Sequence, residues 1–261
     1  MEIVIVDSSE DGAVIVADAI GRVVSSGVSP TLGLATGGSP LGVYRELIAR
    51  SRAGTLRLAD TTCFLLDEYV GLAQDHPESY RSFIRREFTD HTDIADEAVH
   101  GPDATAADLS GAAERYEAAI RGAGGIDLQL LGIGSDGHIG FNEPSSSLGS
   151  RTRLKTLTEE TRRANARFFD GDADAVPRYA LTQGIGTILE ARHLVLLASG
   201  PAKAEAVAAA IEGPLTASLP ASALQLHPHA TVVIDGTAAS LLERTDYYRA
   251  TYDAKPEWQE I

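Results

Sequence analysis

The chain has 261 residues, of which 44% are hydrophobic, and a formal net charge of −15. This length and apolar content suffice for one large core, so an α/β chain of this size need not be divided into two domains. The acid excess disfavours binding to nucleic acid or to an anionic membrane surface. No apolar run reaches the roughly 18 residues that a membrane-spanning helix needs, and the apolar start is short and carries acids, unlike a secretory signal. We therefore expect a soluble, cytoplasmic protein.

Short apolar runs that favour β-strands alternate with longer stretches whose apolar residues recur at helical spacing. The predicted strands are residues 3–6, 31–35, 62–66, 128–133, 194–198 and 231–234. The first two predicted helices are residues 10–25 and about 40–50. Near-continuous apolar strands separated by helices indicate a parallel sheet that is covered on both faces. The pattern predicts a three-layer α/β fold over a single domain, residues 1–261.

Polar or glycine-rich segments directly follow four of these strands. They are residues 36–40, 67–69, 136–144 and 199–203. In an open parallel sheet, ligands bind just beyond the carboxyl ends of the strands. We therefore expect the four segments to converge on one ligand site at one edge of the sheet.

The segment Thr36-Gly37-Gly38-Ser39-Pro40 is a glycine-rich turn that enters a predicted helix. Its glycines allow backbone N–H groups to approach an anion, and the helix dipole favours negative charge there. A tight turn without a ligand explains the same glycines equally well. The segment matches neither the P-loop nor the dinucleotide-binding pattern, so nucleotide binding is not indicated.

An anionic ligand of so acidic a protein requires local cations. Lys203 lies at the start of the helix after the fifth predicted strand, and Arg167 lies in the long polar segment 150–177. A solvated surface position is the alternative for each charge. Long segments of this kind in a compact fold are often active-site lids, and we expect a lid within 150–177, with a passive surface excursion as the alternative.

The segment Asp136-Gly137-His138, followed by Glu143, combines a histidine with two carboxylates. Histidine exchanges protons near neutral pH, and a nearby carboxylate can orient the imidazole and stabilise its charged form. The spacing indicates a proton relay. Two alternatives stay open. The same three side chains could bind a metal, although no second histidine or cysteine stands at ligand spacing; or Asp136 could cap a turn while His138 simply packs.

Asp67 directly follows the third predicted strand. A carboxylate at that point is partly removed from water, which raises its pKa and makes it a better proton acceptor. It could then serve as a base for a C–H proton beside a carbonyl group. Capping of a helix is the alternative role.

Together these segments resemble the glucosamine-6-phosphate deaminases, the glucosamine/galactosamine-6-phosphate isomerase family. The most specific stretch is Gly-Ile-Gly-Ser-Asp-Gly-His-Ile-Gly-Phe-Asn-Glu-Pro, residues 132–144. The other matching stretches occur in the family's order at residues 34–40, 66–72, 76–80, 150–153, 166–169 and 226–228. The resemblance covers most of the chain. It implies a modified Rossmann-type fold, shared with phosphogluconolactonases, and no cofactor.

The resemblance also implies an activity and a set of site residues. The reaction is the isomerisation and deamination of D-glucosamine 6-phosphate, with water, to D-fructose 6-phosphate and ammonia in amino-sugar catabolism. Asp67 matches the base that moves a proton between C2 and C1. His138 matches the residue that assists ring opening, and Asp136 and Glu143 match the carboxylates that orient it. The substrate phosphate is expected at Thr36, Gly37, Gly38, Ser39, Arg167 and Lys203.

Some members of the family are hexamers activated by an N-acetylated amino-sugar phosphate, so a homo-oligomer is a further expectation. The residues that match the allosteric phosphate contacts of those members are Ser146, Arg153 and Lys155. Stabilising the loop after the active site is the alternative role for these three residues. The C-terminal tail from Tyr247 onward does not align clearly with the regulated members, which leaves regulation open.

Two other functions are compatible with the sequence. A 6-phosphogluconolactonase-like hydrolase would not need the Asp67 position together with the full 132–144 stretch. A non-catalytic phosphosugar sensor would not need two intact proton-transfer sites. A preference between glucosamine 6-phosphate and its galactosamine epimer depends on the shape of the pocket and is not predicted.

Overall fold

The structure is a computed structural model that describes residues 1–256, 258, 259 and 261. Strands and helices alternate along most of the described chain. The strands are β1 (Glu2–Val6), β2 (Thr31–Leu34), β3 (Thr62–Leu65), β4 (Asp67–Tyr69), β5 (Val99–His100), β6 (Leu128–Leu131), β7 (Arg153–Thr156), β8 (Tyr179–Thr182), β9 (His193–Ala198) and β10 (Ala230–Asp235). The α-helices are α1 (Ser9–Ser26), α2 (Leu41–Arg52), α3 (Tyr80–Glu87), α4 (Leu109–Gly122), α5 (Glu159–Asn165), α6 (Ile185–Ile188), α7 (Ala204–Ile211) and α8 (Thr245–Asp253).

Seven strands form one sheet in the order β1-β10-β9-β6-β2-β3-β5, and every neighbouring pair is parallel. Strands β2, β6 and β9 are buried at every position. Because successive side chains point to opposite faces, such strands must be covered on both sides, which explains their continuous apolar sequence. All six strands predicted from the sequence are present, with ends that differ by at most two residues. The predicted α/β class is confirmed.

A second sheet of three antiparallel strands, in the order β4-β8-β7, was not predicted. Strand β4 is only Asp-Glu-Tyr, and β7 alternates half-buried and exposed residues, so neither shows the apolar run of a buried strand. Strand β4 begins immediately after Leu66, whose N–H still donates to Leu34 O in the main sheet (3.3 Å). Asp67 therefore lies where the chain leaves one sheet and enters the other.

The first helices begin close to the predicted residues. Ser8 caps α1 by accepting the Asp11 N–H at 3.1 Å, which fixes the start of the helix at Ser9. The sequence predicted that the second helix begins at about residue 40. Helix α2 begins one residue later, at Leu41, and Pro40 is its cap residue. No helix in the described part of the chain is both long and apolar enough to cross a membrane.

Candidate active site

One cavity of about 270 Å³ lies beyond the carboxyl ends of β9, β6, β2 and β3, four consecutive strands of the main sheet. Each of the four predicted segments contributes to its wall. The residues from these segments are Thr36, Gly37, Gly38, Ser39, Asp67, Tyr69, His138, Gly140, Phe141 and Lys203. The predicted convergence on one site is therefore confirmed.

The glycine-rich turn forms one wall of this cavity. Gly37 has a φ of 90°, a left-handed conformation that side chains rarely adopt. A Cβ on Gly37 or Gly38 would meet no atom within 4 Å, so both backbones face open space. The turn leads into α2, a 12-residue helix whose N-terminus carries no acidic residue in its first turn. A ligand anion can approach these backbone groups without steric hindrance.

Two cations lie beside the turn without a carboxylate partner among the described residues. Arg167 is exposed, and its guanidinium carbon is 4.7 Å from the centre of the Phe168 ring. Partial burial and the positive charge of Arg167 lower the pKa of Lys203, while Asp136 acts in the opposite direction. Two like charges within electrostatic range repel each other. An anion between them would relieve this repulsion, so the geometry favours a phosphate site here.

Asp67 is buried at the junction of the two sheets, with 5% of its surface exposed. Burial, followed by the negative charge of Glu68, raises the pKa of Asp67 to about 8, although the Phe141 N–H opposes this. A Cβ on Gly140 would lie 3.3 Å from Asp67 Oδ2, so the absence of a side chain there keeps the carboxyl accessible. Asp67 begins a strand and caps no helix; it is Glu68 that accepts the Tyr80 and Arg81 N–H groups at the start of α3.

His138 lines the cavity, and Asp136 lies behind it. Asp136 Oδ1 is 2.7 Å from His138 Nδ1 and also accepts the His138 N–H at 3.1 Å. Partial burial would raise the pKa of Asp136, but the hydrogen bonds and charge of His138 hold it well below its usual range. Nδ1 faces the Asp136 carboxylate in a close charge contact without hydrogen-bond geometry. Nε2 is therefore the ring nitrogen available for proton exchange, because no described residue hydrogen-bonds to it. Asp136 thus caps the turn and also orients the imidazole.

Glu143 also lies behind His138 and does not line the cavity. Its Oε1 accepts a hydrogen bond from Thr161 Oγ1 at 2.5 Å, and its buried Oε2 has no hydrogen-bond partner among the described residues. One ligand atom from each of Asp136, His138 and Glu143 lies within 4.8 Å of the others. A metal held by all three could use the free Glu143 Oε2 but would have to separate the close Asp136–His138 pair. The Asp136–His138 pairing fits a proton relay better.

Ser146, Arg153 and Lys155 do not line the cavity. Arg153 Nη1 donates to Asn142 Oδ1 at 2.8 Å, and the buried Ser146 hydroxyl has no partner among the described residues. Partial burial and the charge of Arg153 lower the pKa of Lys155, while Glu143 acts against this. The structure therefore places all three residues outside the cavity, with Arg153 and Lys155 close enough for their charges to interact.

Residues 158–176, which we call the covering segment, contain α5 and a 3-10 turn at Ala166–Phe168. Five of its side chains line the cavity, namely Ala164, Asn165, Arg167, Phe168 and Phe169. The buried Arg162 holds the segment together by donating to Val176 O (3.2 Å) and Ala173 O (2.7 Å). Residues 150–157 of the predicted lid segment do not cover the cavity. They are held in place by hydrogen bonds from Thr152 to Glu117 and by the pairing of β7 with β8.

Five polar residues that line the cavity had no predicted role: Tyr69, Glu78, Tyr80, Ser135 and Asn165. Tyr69 and Tyr80 stand in the stretches Leu66–Leu72 and His76–Tyr80, whose match to the family was the available signal. Asn165 lies in the predicted lid, where spacing alone does not reveal which side chains face the cavity.

Comparison with known proteins supplies independent information. Residues 7–234 match the family model described as glucosamine-6-phosphate isomerases/6-phosphogluconolactonase. Proteins named glucosamine-6-phosphate deaminase from Beutenbergia cavernae and Streptomyces coelicolor are each 58% identical to the chain, over 99% and 100% of both lengths respectively.

Solved structures agree with the sequence matches. The structure of a monomeric glucosamine-6-phosphate deaminase has a TM-score of 0.90 and 44% identity, covering 92% of this chain and 100% of its own. A 6-phosphogluconolactonase from Trypanosoma cruzi has a TM-score of 0.71 at 20% identity, covering 93% of this chain and 97% of its own, which shows a shared fold alone. The chain belongs to the glucosamine-6-phosphate isomerase/6-phosphogluconolactonase family.

Proposed function

We propose that this protein is a glucosamine-6-phosphate deaminase, which converts D-glucosamine 6-phosphate and water to D-fructose 6-phosphate and ammonia. The observation that carries the proposal is a single cavity that combines a buried Asp67, a carboxylate-paired His138 and two cations without carboxylate partners. Relatives at 55–58% identity over nearly their whole length bear this name. We place the activity in amino-sugar catabolism in the cytoplasm.

The phosphate is bound at the turn 36–39, between Lys203 and Arg167. Backbone N–H groups and the hydroxyls of Thr36 and Ser39 donate to its oxygens, while the two cations neutralise its charge. Binding there fixes the sugar at one end, so that C1 and C2 lie over Asp67 and the ring oxygen lies near His138. Phosphate binding accelerates the reaction mainly by positioning the sugar, because each later step needs an aligned proton donor or acceptor.

His138 opens the pyranose ring by taking the proton of the C1 hydroxyl and returning a proton to the ring oxygen. Asp136 holds Nδ1, so Nε2 exchanges the proton, and Glu143 lies close enough to stabilise the charged imidazole. The product of this step is an open-chain aldehyde with an amine on C2.

Asp67 then removes the C2 proton while the C2 ammonium group gives a proton to the aldehyde oxygen, which yields an enolamine. Asp67 delivers its proton to C1, which gives a protonated ketimine. Water adds to C2, and ammonia leaves, which yields the ketone. The C2 substituent enters as an ammonium ion, and its positive charge beside Asp67 lowers the raised pKa of this carboxyl and favours the ionised base. The covering segment keeps bulk water out until hydrolysis.

We further propose that Ser146, Arg153 and Lys155 bind a regulatory sugar phosphate, as their matches do in activated relatives. The two cations and the unpartnered Ser146 hydroxyl suit an anion. The neighbouring β7 is an edge strand with an exposed Leu154, a surface on which a second copy of the chain could pack to form a homo-oligomer.

The proposal predicts that incubation with glucosamine 6-phosphate releases ammonium and fructose 6-phosphate in equal amounts. Coupled assays for both products check this, with galactosamine 6-phosphate in parallel to test the epimer and N-acetylglucosamine 6-phosphate added to test activation. Hydrolysis of 6-phosphogluconolactone without ammonium release would instead support a lactonase. Tight binding of the sugar phosphate with no turnover would support a sensor.

Asp67→Asn should slow exchange of the substrate C2 proton with solvent by about 10²–10⁴-fold, because an amide cannot accept this proton. Proton NMR in deuterated buffer measures the exchange. Affinity for fructose 6-phosphate should change little, since Asp67 does not contact the phosphate. Asp60→Asn, on an exposed residue, is the matched control. Exchange at the wild-type rate in Asp67→Asn would remove Asp67 from the base role.

Asp67→Asn also has a predicted effect on stability. The pKa of Asp67 is about 8 in the folded protein and near 4 when unfolded, so the folded state binds the extra proton between these values. The free energy of unfolding therefore contains a contribution that is lost as pH rises towards 8. An asparagine carries no charge to bury, so the Tm of the variant at pH 8 should equal or exceed that of wild type. Thermal unfolding measures this, and an unchanged or higher Tm would exclude misfolding as the cause of lost exchange.

Lys203→Ala should raise KM for glucosamine 6-phosphate by about 10- to 100-fold, the effect of losing one charge-assisted hydrogen bond. The value of kcat should change much less, because the phosphate does not react. Steady-state kinetics with phosphorylated and unphosphorylated glucosamine measure the difference, and Lys255→Ala, which removes a lysine paired with Glu2, is the control. An unchanged KM in Lys203→Ala would exclude Lys203 from the phosphate site.

A further inference from the structure

Three side chains joined by hydrogen bonds, with Thr36 beside the last of them, cross the wall of the cavity from the covering segment to the glycine-rich turn. Asn165 Nδ2 donates to Tyr69 Oη at 2.9 Å, and Tyr80 Oη donates to Tyr69 Oη at 3.3 Å. The Thr36 side chain lies close enough to the Tyr80 hydroxyl to lower the pKa of this hydroxyl, against the larger effect of burial. We call Asn165, Tyr69, Tyr80 and Thr36 the hydroxyl chain. All four line the cavity, and its two ends belong to different parts of the site.

The two tyrosines in the middle of the chain are firmly held. The buried Glu68 carboxylate accepts the N–H groups of both Tyr69 (2.8 Å) and Tyr80 (2.9 Å). Their rings pack at 4.8 Å between centroids, Tyr80 stacks on Phe141 at 5.8 Å, and Tyr69 meets the edge of Phe169 at 5.8 Å. Rings fixed in this way leave the hydroxyl protons as the only groups free to reorient.

Hydroxyl groups each donate one proton, so the direction of the chain depends on what lies at its ends. When Tyr80 donates to Tyr69, no described residue accepts the Tyr69 proton. If Thr36 donates to a phosphate oxygen, its lone pairs can accept from Tyr80. Tyr80 can then accept from Tyr69, and Tyr69 still accepts from Asn165. Each of the three hydroxyls then both donates and accepts, and bonds that run in one direction towards an anion strengthen one another.

We propose that Tyr69 and Tyr80 are positioning residues that couple the binding of phosphate at Thr36 to the docking of the covering segment through Asn165. The inference rests on the proposed function, because it takes Thr36 as a phosphate ligand. Neither tyrosine acts as a proton donor to the sugar. Their effect is to hold Asn165, and with it Arg167 two residues later, over an occupied site.

The first test is hydrogen–deuterium exchange of the full-length protein with and without saturating fructose 6-phosphate. In wild type, the ligand should slow exchange both in the turn 36–40 and in the covering segment. In Tyr69→Phe and Tyr80→Phe the turn should still be protected, while the slowing in the covering segment falls at least threefold. Tyr116→Phe is the matched control, because it removes a buried hydroxyl bonded to Leu65 O (2.5 Å) outside the chain and should behave as wild type.

The second test is a double-mutant cycle on KM between two residues that do not touch, Tyr80 and Asn165. Tyr80→Phe and Asn165→Ala should each raise KM for glucosamine 6-phosphate by about two- to tenfold. Because Tyr69 connects them, the double variant should show little more than the larger single effect, whereas independent structural damage would multiply the two. The changes in kcat should be smaller than those in KM.

Two results would overturn the coupling. One is full ligand protection of the covering segment in both phenylalanine variants, and the other is multiplicative effects on KM. These failures leave the proposed function intact if the turn is still protected. A wild-type protein in which fructose 6-phosphate protects neither the turn nor the covering segment would overturn the phosphate assignment together with the hydroxyl chain.

Discussion

The proposed chemistry depends on the burial of one carboxyl group at the junction of two sheets. Asp67 is the first residue of β4, directly beyond the main-sheet strand β3, and it is 5% exposed with no cation bonded to it in the described structure. A charge on a buried carboxyl is poorly solvated, so ionisation costs free energy and burial raises the pKa of Asp67 to about 8. Two neighbouring features keep this position usable for chemistry. Gly140 leaves the carboxyl uncovered, and Glu68 turns away to bind backbone N–H groups.

Charge is divided along the cavity in a way that suits a substrate with an anion at one end and an amine near the other. Lys203 and Arg167 lie beside the glycine-rich turn, while Asp67 and the Asp136–His138 pair lie deeper among the loops that follow β3 and β6. In a protein of net charge −15, two cations without carboxylate partners provide a local attraction for phosphate that the rest of the surface does not. The same division separates binding from proton transfer, so the two can be tested by different variants.

Much of this arrangement was predictable from the sequence, because it depends on parallel strands. The apolar runs gave the six principal strands, and the rule that their carboxyl ends share an edge brought Thr36, Asp67, His138 and Lys203 together. The β4-β8-β7 sheet was not predictable, since Asp-Glu-Tyr and Arg-Leu-Lys-Thr are stabilised by pairing with β8 and not by their own pattern. The covering segment lies within the predicted range 150–177. Its start at residue 158 was not predictable, because Thr152 and β7 are held by contacts with distant residues.

The proposed roles of Tyr69, Tyr80 and Asn165 could not be predicted from the sequence, for a geometric reason. Their hydroxyl and amide groups meet although the residues are 11 and 96 positions apart along the chain. Only the folded structure brings them into contact. Local motifs can therefore identify groups that do chemistry, while side chains that hold those groups in place emerge from packing.

The most direct test of the central claim is the pKa of the Asp67 carboxyl itself in the ligand-free protein. Carbon-13 NMR of protein labelled at aspartate carboxyl groups, with the Asp67 resonance assigned by its loss in Asp67→Asn, would follow its titration. A buried carboxyl at the sheet junction should titrate near pH 8. A midpoint near pH 4, the value of an ordinary solvated aspartate, would contradict the account.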